Sequence, residues 1–391
     1  MTMISLLPTV LVCLSLVGGL IFLLLLIREQ FVRLTLSDDQ SVDIWPVVSI
    51  IIPARNEADS IETALKSVLA LDYPNKEIIV INDRSTDATG DILARLAQEN
   101  PELQLITIDR LPSGWLGKNH ALQRGAVSAS GELLLFTDAD IIMQPSLLRR
   151  AVSSFLTHRL DHLAIGPSFM TKGVLLNSVI SVFLVVFTLY VRPWEVRRPH
   201  CKGHIGIGAF NLVRATAYRD SGEHYSIALR PDDDMRLGRQ LKDQGYRQEV
   251  IFGHKAISVE WYGSLREMIL GLEKNSFAGI DYQMTKLIAS TVALFAFLIW
   301  PFVALLVTSG MLWWGNLLTV ILLGLCFGLT AGVVGMSAFY YLGFPFGVAV
   351  IIHIMWRSAL RILLRGGMEW RETFYALDEL RENRRPEKLK S

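Results

Sequence analysis

The chain has 391 residues, a formal net charge of +1, 51% hydrophobic residues and 19% charged residues, and its mean hydropathy is +0.37. Disordered chains combine low hydrophobicity with high net charge, and nucleic-acid-binding proteins usually carry a basic excess. The composition therefore excludes the first class and predicts no nucleic-acid partner. Three cysteines are too few for a disulfide framework at this length. These figures are typical of a membrane protein that also has a soluble part.

The first apolar segment, residues 6–27, contains no charged residue. Its length of about 22 residues is enough to cross a hydrocarbon core of roughly 30 Å. No basic stretch precedes it and no small-x-small cleavage site follows. We therefore interpret residues 1–28 as an uncleaved transmembrane anchor, with a cleaved signal peptide as the alternative. Arg28 and Arg33 follow the segment, so the positive-inside rule places the N-terminus outside and the chain from residue 28 onward in the cytoplasm.

Residues 46–140 alternate between strand-like and helix-like patterns. Short apolar, β-branched runs predict buried parallel strands, and apolar stripes at helical spacing predict the helices that cover them. The predicted strands are residues 47–52, 77–81, 103–108 and 132–137. The predicted helices begin at a capping box formed by Asp59-x-x-Glu62, at Asp87 and at Asn119. This alternation predicts an α/β domain with a mostly parallel sheet.

Polar clusters follow three of the predicted strands, at the end of the sheet where ligands bind in such folds. The clusters are Arg55-Asn56-Glu57, Asn82-Asp83-Arg84 and Asp138-Ala139-Asp140. The last two carboxylates suit a hard cation such as Mg²⁺, which one or two carboxylates hold together with substrate phosphates. The alternative for this motif is a helix-capping turn. No glycine follows the first strand, which argues against a dinucleotide fingerprint and against a P-loop.

Three further features could carry chemistry. Asp83 could accept hydrogen bonds from a base or a sugar. The alternative for this segment is an Asx-turn in which Asp87 caps the next helix. Lys118 lies in a glycine-flanked loop that enters a helix, which suits contact with phosphate, the alternative being a solvated lysine. In the run Asp232-Asp233-Asp234, repulsion between neighbouring carboxylates should raise the pKa of at least one of them. A carboxylate with a raised pKa suits a general base. The alternative is that these residues stabilise a helix N-terminus through its dipole, and different members of the run could have the two roles. Cys201-Lys202-Gly203-His204 lacks a second ligand pair and is not interpreted as a metal site.

The second concentration of apolar residues comprises residues 287–307, 312–334 and 339–356, with aromatic residues near their ends. The chain then becomes basic, so we interpret residues 357–391 as a cytoplasmic tail. Three full crossings would leave that tail outside. The last stretch, which contains Gly343, Pro345 and Gly347, could therefore be re-entrant or broken. The apolar run 174–191 is interpreted as a buried or membrane-surface helix, with a true span as the alternative.

Together these motifs resemble those of the family 2 glycosyltransferases, which have a GT-A fold. The matching segments are Ile51-Ile52-Pro53-Ala54-Arg55-Asn56-Glu57, Asn82-Asp83-Arg84-Ser85-Thr86-Asp87, Gly117-Lys118-x-x-Ala121-Leu122, Asp138-Ala139-Asp140 and Asp233-Asp234-x-x-Leu237. Their order and spacing make the match specific, and it covers residues 47 to 280 approximately. The membrane layout looks like that of the lipid-modifying branch, which includes hopene-associated, carotenoid-acid and ceramide-type glucosyltransferases.

The resemblance implies a GT-A catalytic domain over residues 46–285, with a nucleotide-binding half at 46–140 and an acceptor half at 141–285 that contains the apolar helix 174–191. A transmembrane block at 286–356 would follow. A catalytic domain of this kind would bind a UDP-sugar donor and a lipid or isoprenoid acceptor. It would work at the cytoplasmic face of a bacterial-type inner membrane.

The same resemblance implies roles for individual residues. Ala54, Glu57 and Asp83 would contact the uridine. Asp138 and Asp140 would serve the nucleotide and a Mn²⁺ or Mg²⁺ ion on its diphosphate, and Lys118 would lie near that diphosphate. The remaining expected site residues are Asp234 as catalytic base, Asp233 as a substrate-binding neighbour, and the segment 208–211, including Asn211, on the acceptor side.

One departure from the family pattern bears on the reaction. Processive polysaccharide synthases carry Q-x-x-R-W after the acidic motif, and residues 265–275 do not contain it. This absence favours transfer of a single sugar over chain growth. With one implied base opposite the leaving group and an implied metal on the diphosphate, we expect that transfer to be inverting and metal-dependent. One alternative is a polyisoprenyl-phosphate glycosyltransferase, and another is a non-catalytic membrane scaffold that binds nucleotide sugars. No motif identifies the sugar, the acceptor or the oligomeric state.

Overall fold

A computed structural model of the chain describes residues 3–36, 44–198, 200–252, 254–371 and 373–382. The chain divides into two compact units. One unit comprises residues 1–33, 171–190 and 261–377, and the other comprises residues 34–170, 191–260 and 378–391. We call the first the helical unit and the second the sheet unit, and in both the statements that follow concern the described residues.

A seven-stranded sheet forms the centre of the sheet unit, in the order β3-β2-β1-β4-β8-β6-β9. Its strands are β1 Val48–Ala54, β2 Lys76–Asp83, β3 Leu103–Ile108, β4 Leu133–Phe136, β6 His162–Gly166, β8 Asn211–Arg214 and β9 Gln248–Phe252. The pairs β1–β2, β2–β3, β1–β4 and β6–β9 are parallel, whereas β8 is antiparallel to both β4 and β6. The predicted α/β domain is confirmed, and the antiparallel strand is an addition that the predicted pattern did not include.

Burial on both faces explains the apolar strand sequences. Every residue of β4 is buried, and in β1 only Pro53 is partly exposed. The helices of this unit cover the two faces of the sheet, as expected when crossover connections return on either side. They are α2 Ile61–Leu69, α3 Thr89–Glu99, α4 Gly117–Ser128, α5 Leu147–Thr157, α7 Pro193–Val196, α8 Ala215–Asp220 and α9 Asp233–Asp243. A small second sheet contains β5 Ile142–Met143, β7 Ser168–Phe169 and β10 Ile257–Val259.

Of the three predicted helix starts, the one at Asn119 comes two residues late, because α4 begins at Gly117, and the other two behave differently from each other. Helix α2 begins at Ile61, and its cap, Ser60, makes no side-chain hydrogen bond. The predicted capping box is therefore absent, because Glu62 instead forms ion pairs with Lys66 and Arg95, each 2.7 Å long. Asp87 is not the cap residue of α3, because Ala88 occupies that position, but its Oδ1 accepts a 3.0 Å hydrogen bond from the amide of Thr89, the first residue of the helix.

The helical unit contains the long apolar helices. They are α1 Met3–Val32, α6 Val174–Val191, α11 Met284–Leu294, α12 Trp300–Val307, α13 Gly310–Val334 and α14 Phe344–Arg365, with a π-helical turn, Phe295–Ile299, joining α11 to α12. The unit also contains the amphipathic α10 Leu265–Ser276 and a hairpin of β11 Gly367–Trp370 and β12 Thr373–Ala376, which leads into α15 Leu377–Glu382. By length and composition, five helical segments of the described chain are able to cross a membrane.

The topology of the sheet constrains one of these five segments, Val174–Val196. Strand β6 precedes α6 in the chain, while β8 and β9 follow it, and all three belong to the same sheet. A single crossing would put strands of one hydrogen-bonded sheet on opposite sides of a bilayer. Helix α6 therefore does not carry the chain across, which agrees with the interpretation of a buried or membrane-surface helix. It nevertheless groups with the helical unit, whereas the sequence placed it in the catalytic domain.

The last apolar stretch is more regular than the sequence indicated. A 3₁₀ helix, Ala338–Gly343, precedes α14, which then continues for 22 residues without a break. Pro345 lies in the first turn, where a missing backbone N–H costs no hydrogen bond. A side chain at Gly347 would clash with Val182 of α6, so this glycine permits close helix packing. Helix α14 also continues past Trp356 to Arg365, and the predicted tail therefore begins as helix. Residues 383–391 of that tail lie outside the described part.

Buried His162 should make the stability of the protein depend on pH. It lies in β6, its Nε2 contacts Oδ1 of Asn211, and burial lowers its pKa to about 4. An unfolded histidine binds its proton near pH 6.5, so between about pH 6.5 and 4 the unfolded state binds more protons than the folded state. Stability should therefore fall as the pH falls through this window, by at most about 1.4 kcal/mol per pH unit from this one group.

We expect thermal unfolding midpoints of the wild type to fall more steeply between pH 6.5 and 4 than those of His162→Gln. His158 is exposed after α5, so His158→Gln is the matched control and should keep the wild-type slope. Parallel slopes for the wild type and His162→Gln would contradict the prediction.

Candidate active site

The candidate site lies at the carboxyl ends of β1, β2 and β4. These strands are parallel, so their ends meet at one edge of the sheet, and β1 lies between the other two. Ligands bind at this kind of switch point in open α/β sheets. Strand β8 runs the other way, so its first residue, Asn211, pairs with Phe136 at the end of β4. The segment before β8 therefore reaches the same edge, which sequence order alone did not reveal.

Ala54, Glu57 and Asp83 occupy the β1 and β2 side of this edge. Ala54 ends β1, is buried, and pairs with Asn82. Asp83 is buried and receives two hydrogen bonds from the guanidinium of Arg84, at 2.8 and 3.2 Å. The amide of Glu57 donates to Oγ1 of Thr89 at 2.8 Å, which ties the loop after β1 to the start of α3. The polar residues that follow two separate strands thus belong to one connected surface.

Lys118 joins the two halves of the site. It lies in the first turn of α4, with its Nζ 2.9 Å from Oδ1 of Asp138 and 3.4 Å from Oδ2 of Asp233. Partial burial works to lower the pKa of this lysine, but Asp138 and Asp233 outweigh it and raise the pKa above its usual range. Lys118 is therefore a permanent cation between two carboxylates, and the alternative of a solvated lysine does not hold.

The three consecutive aspartates have three different partners. Asp232 receives paired hydrogen bonds from Arg230, at 2.9 and 3.0 Å, and another from Arg236 at 2.9 Å. Asp233 pairs with Lys118. Asp234 accepts hydrogen bonds from the amides of Met235 at 2.7 Å and Gly208 at 2.8 Å. Repulsion within the run is thus relieved differently at each position, and Asp234 is held by peptide groups.

Gly208 links Asp138 to Asp234. Its amide donates to Oδ2 of Asp234, and its carbonyl oxygen accepts the 3.0 Å hydrogen bond from the amide of Asp138. A Cβ atom at this position would lie 2.5 Å from Oδ2 of Asp138, so any other residue would displace that carboxylate. One peptide segment therefore sets the spacing between the acidic motif after β4 and the acidic motif at α9.

Asn119 was missed by the sequence motif, which treats position 119 as variable. Its buried Nδ2 lies within hydrogen-bond distance of three carbonyl oxygens, those of Ile227 at 2.7 Å, Ala228 at 3.2 Å and Arg230 at 2.9 Å. These contacts tie the start of α4, which carries Lys118, to the loop that leads into α9. An asparagine immediately after the lysine was the available signal, but its partners are more than 100 residues away in sequence.

Two carboxyl groups in the site have raised pKa values. Burial, followed by the charges of Asp138 and Glu57, raises the pKa of Asp140 to about 7. Burial, followed by the charge of Asp233, raises the pKa of Asp234 to about 7, against the opposing effect of Lys118. The raised pKa of Asp234 agrees with the expectation that at least one of the three consecutive aspartates has a raised pKa.

The donor set at Asp138 and Asp140 fits a hard divalent cation. Both are carboxylates, and after burial the charges of Asp138 and Glu57 contribute more to the raised pKa of Asp140 than Lys118 takes away. Within the described residues, no group of three or more His, Cys, Asp or Glu side chains forms a complete protein cage. Two carboxylates that share a cation with substrate phosphates match the coordination habit of Mg²⁺.

Asn211 does not fit the role that the resemblance implied. Its side chain is buried and its Oδ1 contacts Nε2 of His162 inside the sheet. The side chain therefore stabilises the pairing of β6 with β8, and it is the backbone of the preceding segment that reaches the site. His120 is buried against Trp115, with ring centroids 5.5 Å apart, and burial lowers its pKa to about 4, in keeping with a structural role.

Comparison with known proteins identifies the domain. Residues 49–219 match the sequence model of "Glycosyl transferase family 2". The mannosyltransferase PcManGT from Pyrobaculum calidifontis, solved in complex with GDP-Man and Mn²⁺, superposes with a TM-score of 0.58 at 18% identity, covering 91% of this chain and 98% of that one. The fold is therefore GT-A, and residues 49–219 are similar in sequence to the family 2 glycosyltransferases.

Curated relatives share part of the chain. A poly-β-1,6-N-acetyl-D-glucosamine synthase of Staphylococcus aureus is 26% identical over 223 residues, which is 56% of this chain and 52% of the relative. The probable glycosyltransferase YdaM of Bacillus subtilis is 38% identical over 97 residues, 24% of this chain and 23% of that protein. The chain thus spans about half the length of the first relative. The narrower resemblance to hopene-, carotenoid- and ceramide-type enzymes is not confirmed by these relatives.

Two glycines should be indispensable to the site because α9 crosses the segment 205–208 in direct contact. A Cβ at Gly206 would lie 1.8 Å from the carbonyl oxygen of Asp234, and a Cβ at Gly238 would lie 1.7 Å from that of Ile205. We expect Gly206→Ala and Gly238→Ala each to lower the free energy of unfolding by about 1–3 kcal/mol or more, since backbone must move. Scanning fluorimetry of the full chain measures the effect. Gly279→Ala, whose Cβ meets nothing within 4 Å, is the control, and midpoints equal to that control would refute the prediction.

Proposed function

We propose that the chain catalyses the inverting, metal-dependent transfer of one sugar from a UDP-sugar to a lipid or isoprenoid acceptor at the cytoplasmic face of a membrane. The observation that carries the proposal is the position of Asp234. Its two carboxylate oxygens are held by the amides of Gly208 and Met235, and it is linked through Gly208 to the Asp138 motif. These hydrogen bonds support a defined distance between the proposed base, Asp234, and the proposed diphosphate-binding motif at Asp138.

Asp234 is the proposed base. Its pKa of about 7 suits a group that must accept a proton near neutral pH. As the acceptor oxygen forms its bond to the anomeric carbon, the bond from that carbon to the diphosphate breaks and the hydroxyl proton passes to the Asp234 carboxylate. A single base opposite the leaving group implies attack from the far face and therefore inversion.

Asp138 and Asp140 would hold Mg²⁺ or Mn²⁺, and Lys118 would supply a further positive charge. When bound, the divalent ion would neutralise charge that develops on the leaving diphosphate. Ala54, Glu57 and Asp83 lie at the ends of β1 and β2, which is the proposed position of the nucleoside. Asp233 would orient Lys118 toward the substrate.

The apolar helices support an acceptor that dissolves in a membrane. Exposed apolar side chains are abundant on α1, α13 and α14, as on helices that face lipid. Basic residues near the end of α14, Arg357, Arg361 and Arg365, support a cytoplasmic location for that end. With a cytoplasmic sheet unit, this location requires that only two of the three apolar segments 284–307, 310–334 and 338–365 cross the membrane completely. We propose an integral protein of a bacterial-type inner membrane, with the sheet unit in the cytoplasm.

A second candidate, chain growth, is favoured by the relatives, because several are named for a polymer of N-acetylglucosamine. The missing Q-x-x-R-W motif supports single transfer instead. The two functions differ in product length, so the products themselves discriminate between them.

We expect purified full-length protein in lipid, supplied with Mn²⁺ and a panel of UDP- and GDP-sugars, to add one sugar to extracted membrane lipid. Mass spectrometry of the lipids would show a single hexose or N-acetylhexosamine increment. A ladder of increments would establish chain growth. Nucleotide binding without hydrolysis or transfer of any donor would establish the non-catalytic scaffold. Chelation by EDTA should abolish transfer, and undiminished transfer would contradict the metal role of Asp138 and Asp140.

We expect Asp234→Asn to lower the rate of transfer by about 10²- to 10⁴-fold, because the amide cannot take the proton. Titration with UDP should show unchanged nucleotide affinity. Asp243→Asn is the matched control, since Asp243 is an exposed residue at the other end of the same helix. Near-normal turnover in Asp234→Asn would favour a polyisoprenyl-phosphate acceptor, which needs little help from a base.

A further inference from the structure

The ammonium group of Lys118 already fills a cation position in the acidic cluster. Its two carboxylate partners come from distant parts of the chain, Asp138 after β4 and Asp233 at the start of α9. Its side chain is 27% exposed and that of Asp138 is 39% exposed, so solvent screens this ion pair less than it would a fully exposed one.

Asp138 is also one of the two carboxylates assigned to the divalent ion. An ammonium and a divalent cation have the same sign and repel strongly when they share a carboxylate in a partly buried site. Asp138 is within 2.9 Å of Lys118, and Asp140 has that pair as its charged neighbours, together with Glu57. A divalent ion that binds in the absence of nucleotide must therefore overcome repulsion from the Lys118 ammonium group.

A nucleotide diphosphate changes this balance because it brings its own negative charge. Phosphate oxygens are alternative partners for a lysine that lies at a helix N-terminus, as Lys118 does at α4. They also complete the oxygen coordination that two carboxylates begin. Both effects make the divalent ion easier to bind.

We propose that Lys118 is an internal counter-cation that holds Asp138 while no diphosphate is present, so that a divalent metal ion binds tightly only together with the diphosphate of the donor. The inference rests on the proposed function, because it takes a nucleotide diphosphate as the ligand. It gives Lys118 two successive roles, first as the neutralising partner of the empty carboxylates and then as a partner of the diphosphate.

The test compares Mn²⁺ binding by the full-length wild type and Lys118→Met in detergent, without nucleotide, using electron paramagnetic resonance of free Mn²⁺. Methionine keeps much of the side-chain length and removes the charge. We expect Lys118→Met to bind Mn²⁺ at least about tenfold more tightly, because the competing cation is gone. Adding Asp138→Asn to Lys118→Met should cancel the gain. Lys66→Met, which removes an exposed ion-paired lysine on α2, is the control and should bind Mn²⁺ as the wild type does.

A second measurement adds nucleotide to the same two proteins. UDP, and GDP in a parallel series, should tighten Mn²⁺ binding to the wild type by a larger factor than to Lys118→Met, after correction for Mn²⁺–nucleotide complexes. Equal Mn²⁺ affinities of the two proteins without nucleotide would overturn the inference and leave sugar transfer unaffected. Failure of transfer with every donor would overturn the proposed function and leave the Mn²⁺ comparison valid.

Discussion

Carboxylates at one edge of the sheet repel one another, and the ammonium group of Lys118 is the charge that holds the two halves of the cluster together. It pairs with Asp138 from the strand side and with Asp233 from the helix side. The neighbouring Asp232 is neutralised separately by Arg230 and Arg236. The site therefore keeps negative charge at Asp138 and Asp140, where we propose that a divalent cation binds, while the charge of Asp232 is neutralised by arginines.

Backbone contacts give this charged cluster its geometry. Gly208 bonds through its amide to Asp234 and through its carbonyl to the amide of Asp138, while Gly206 and Gly238 let a loop and a helix touch without side chains between them. Peptide groups on a packed backbone move less than long side chains, so the distance between the proposed base and the diphosphate-binding motif is fixed before any substrate arrives. Preorganised charged and polar groups contribute strongly to electrostatic catalysis because they need not reorient during the reaction.

The sequence predicted particular elements well where their signal was local. The four parallel strands β1 to β4 and the turn at Asp87 that leads into α3 follow from apolar runs and turn chemistry within a few residues. The predicted capping box at Asp59 and Glu62 does not form, because the Glu62 carboxylate forms ion pairs with Lys66 and with Arg95 on another helix. Helix α6 was ambiguous by composition alone, and the shared sheet on either side of it resolved the ambiguity.

By itself, the sequence determined the chemistry that is available: which strands end in carboxylates, where the lysine enters its helix, and that long apolar segments surround an α/β domain. Only the tertiary structure decided which of these groups meet. Strand β8 runs antiparallel to β4 and brings Gly208 to the site, Asn119 ties the start of α4 to the loop before α9, and Asn211 turns inward to His162. The physical reason is range: apolar periodicity and turn signals act over a few residues, whereas these contacts join positions about 50 to more than 100 residues apart.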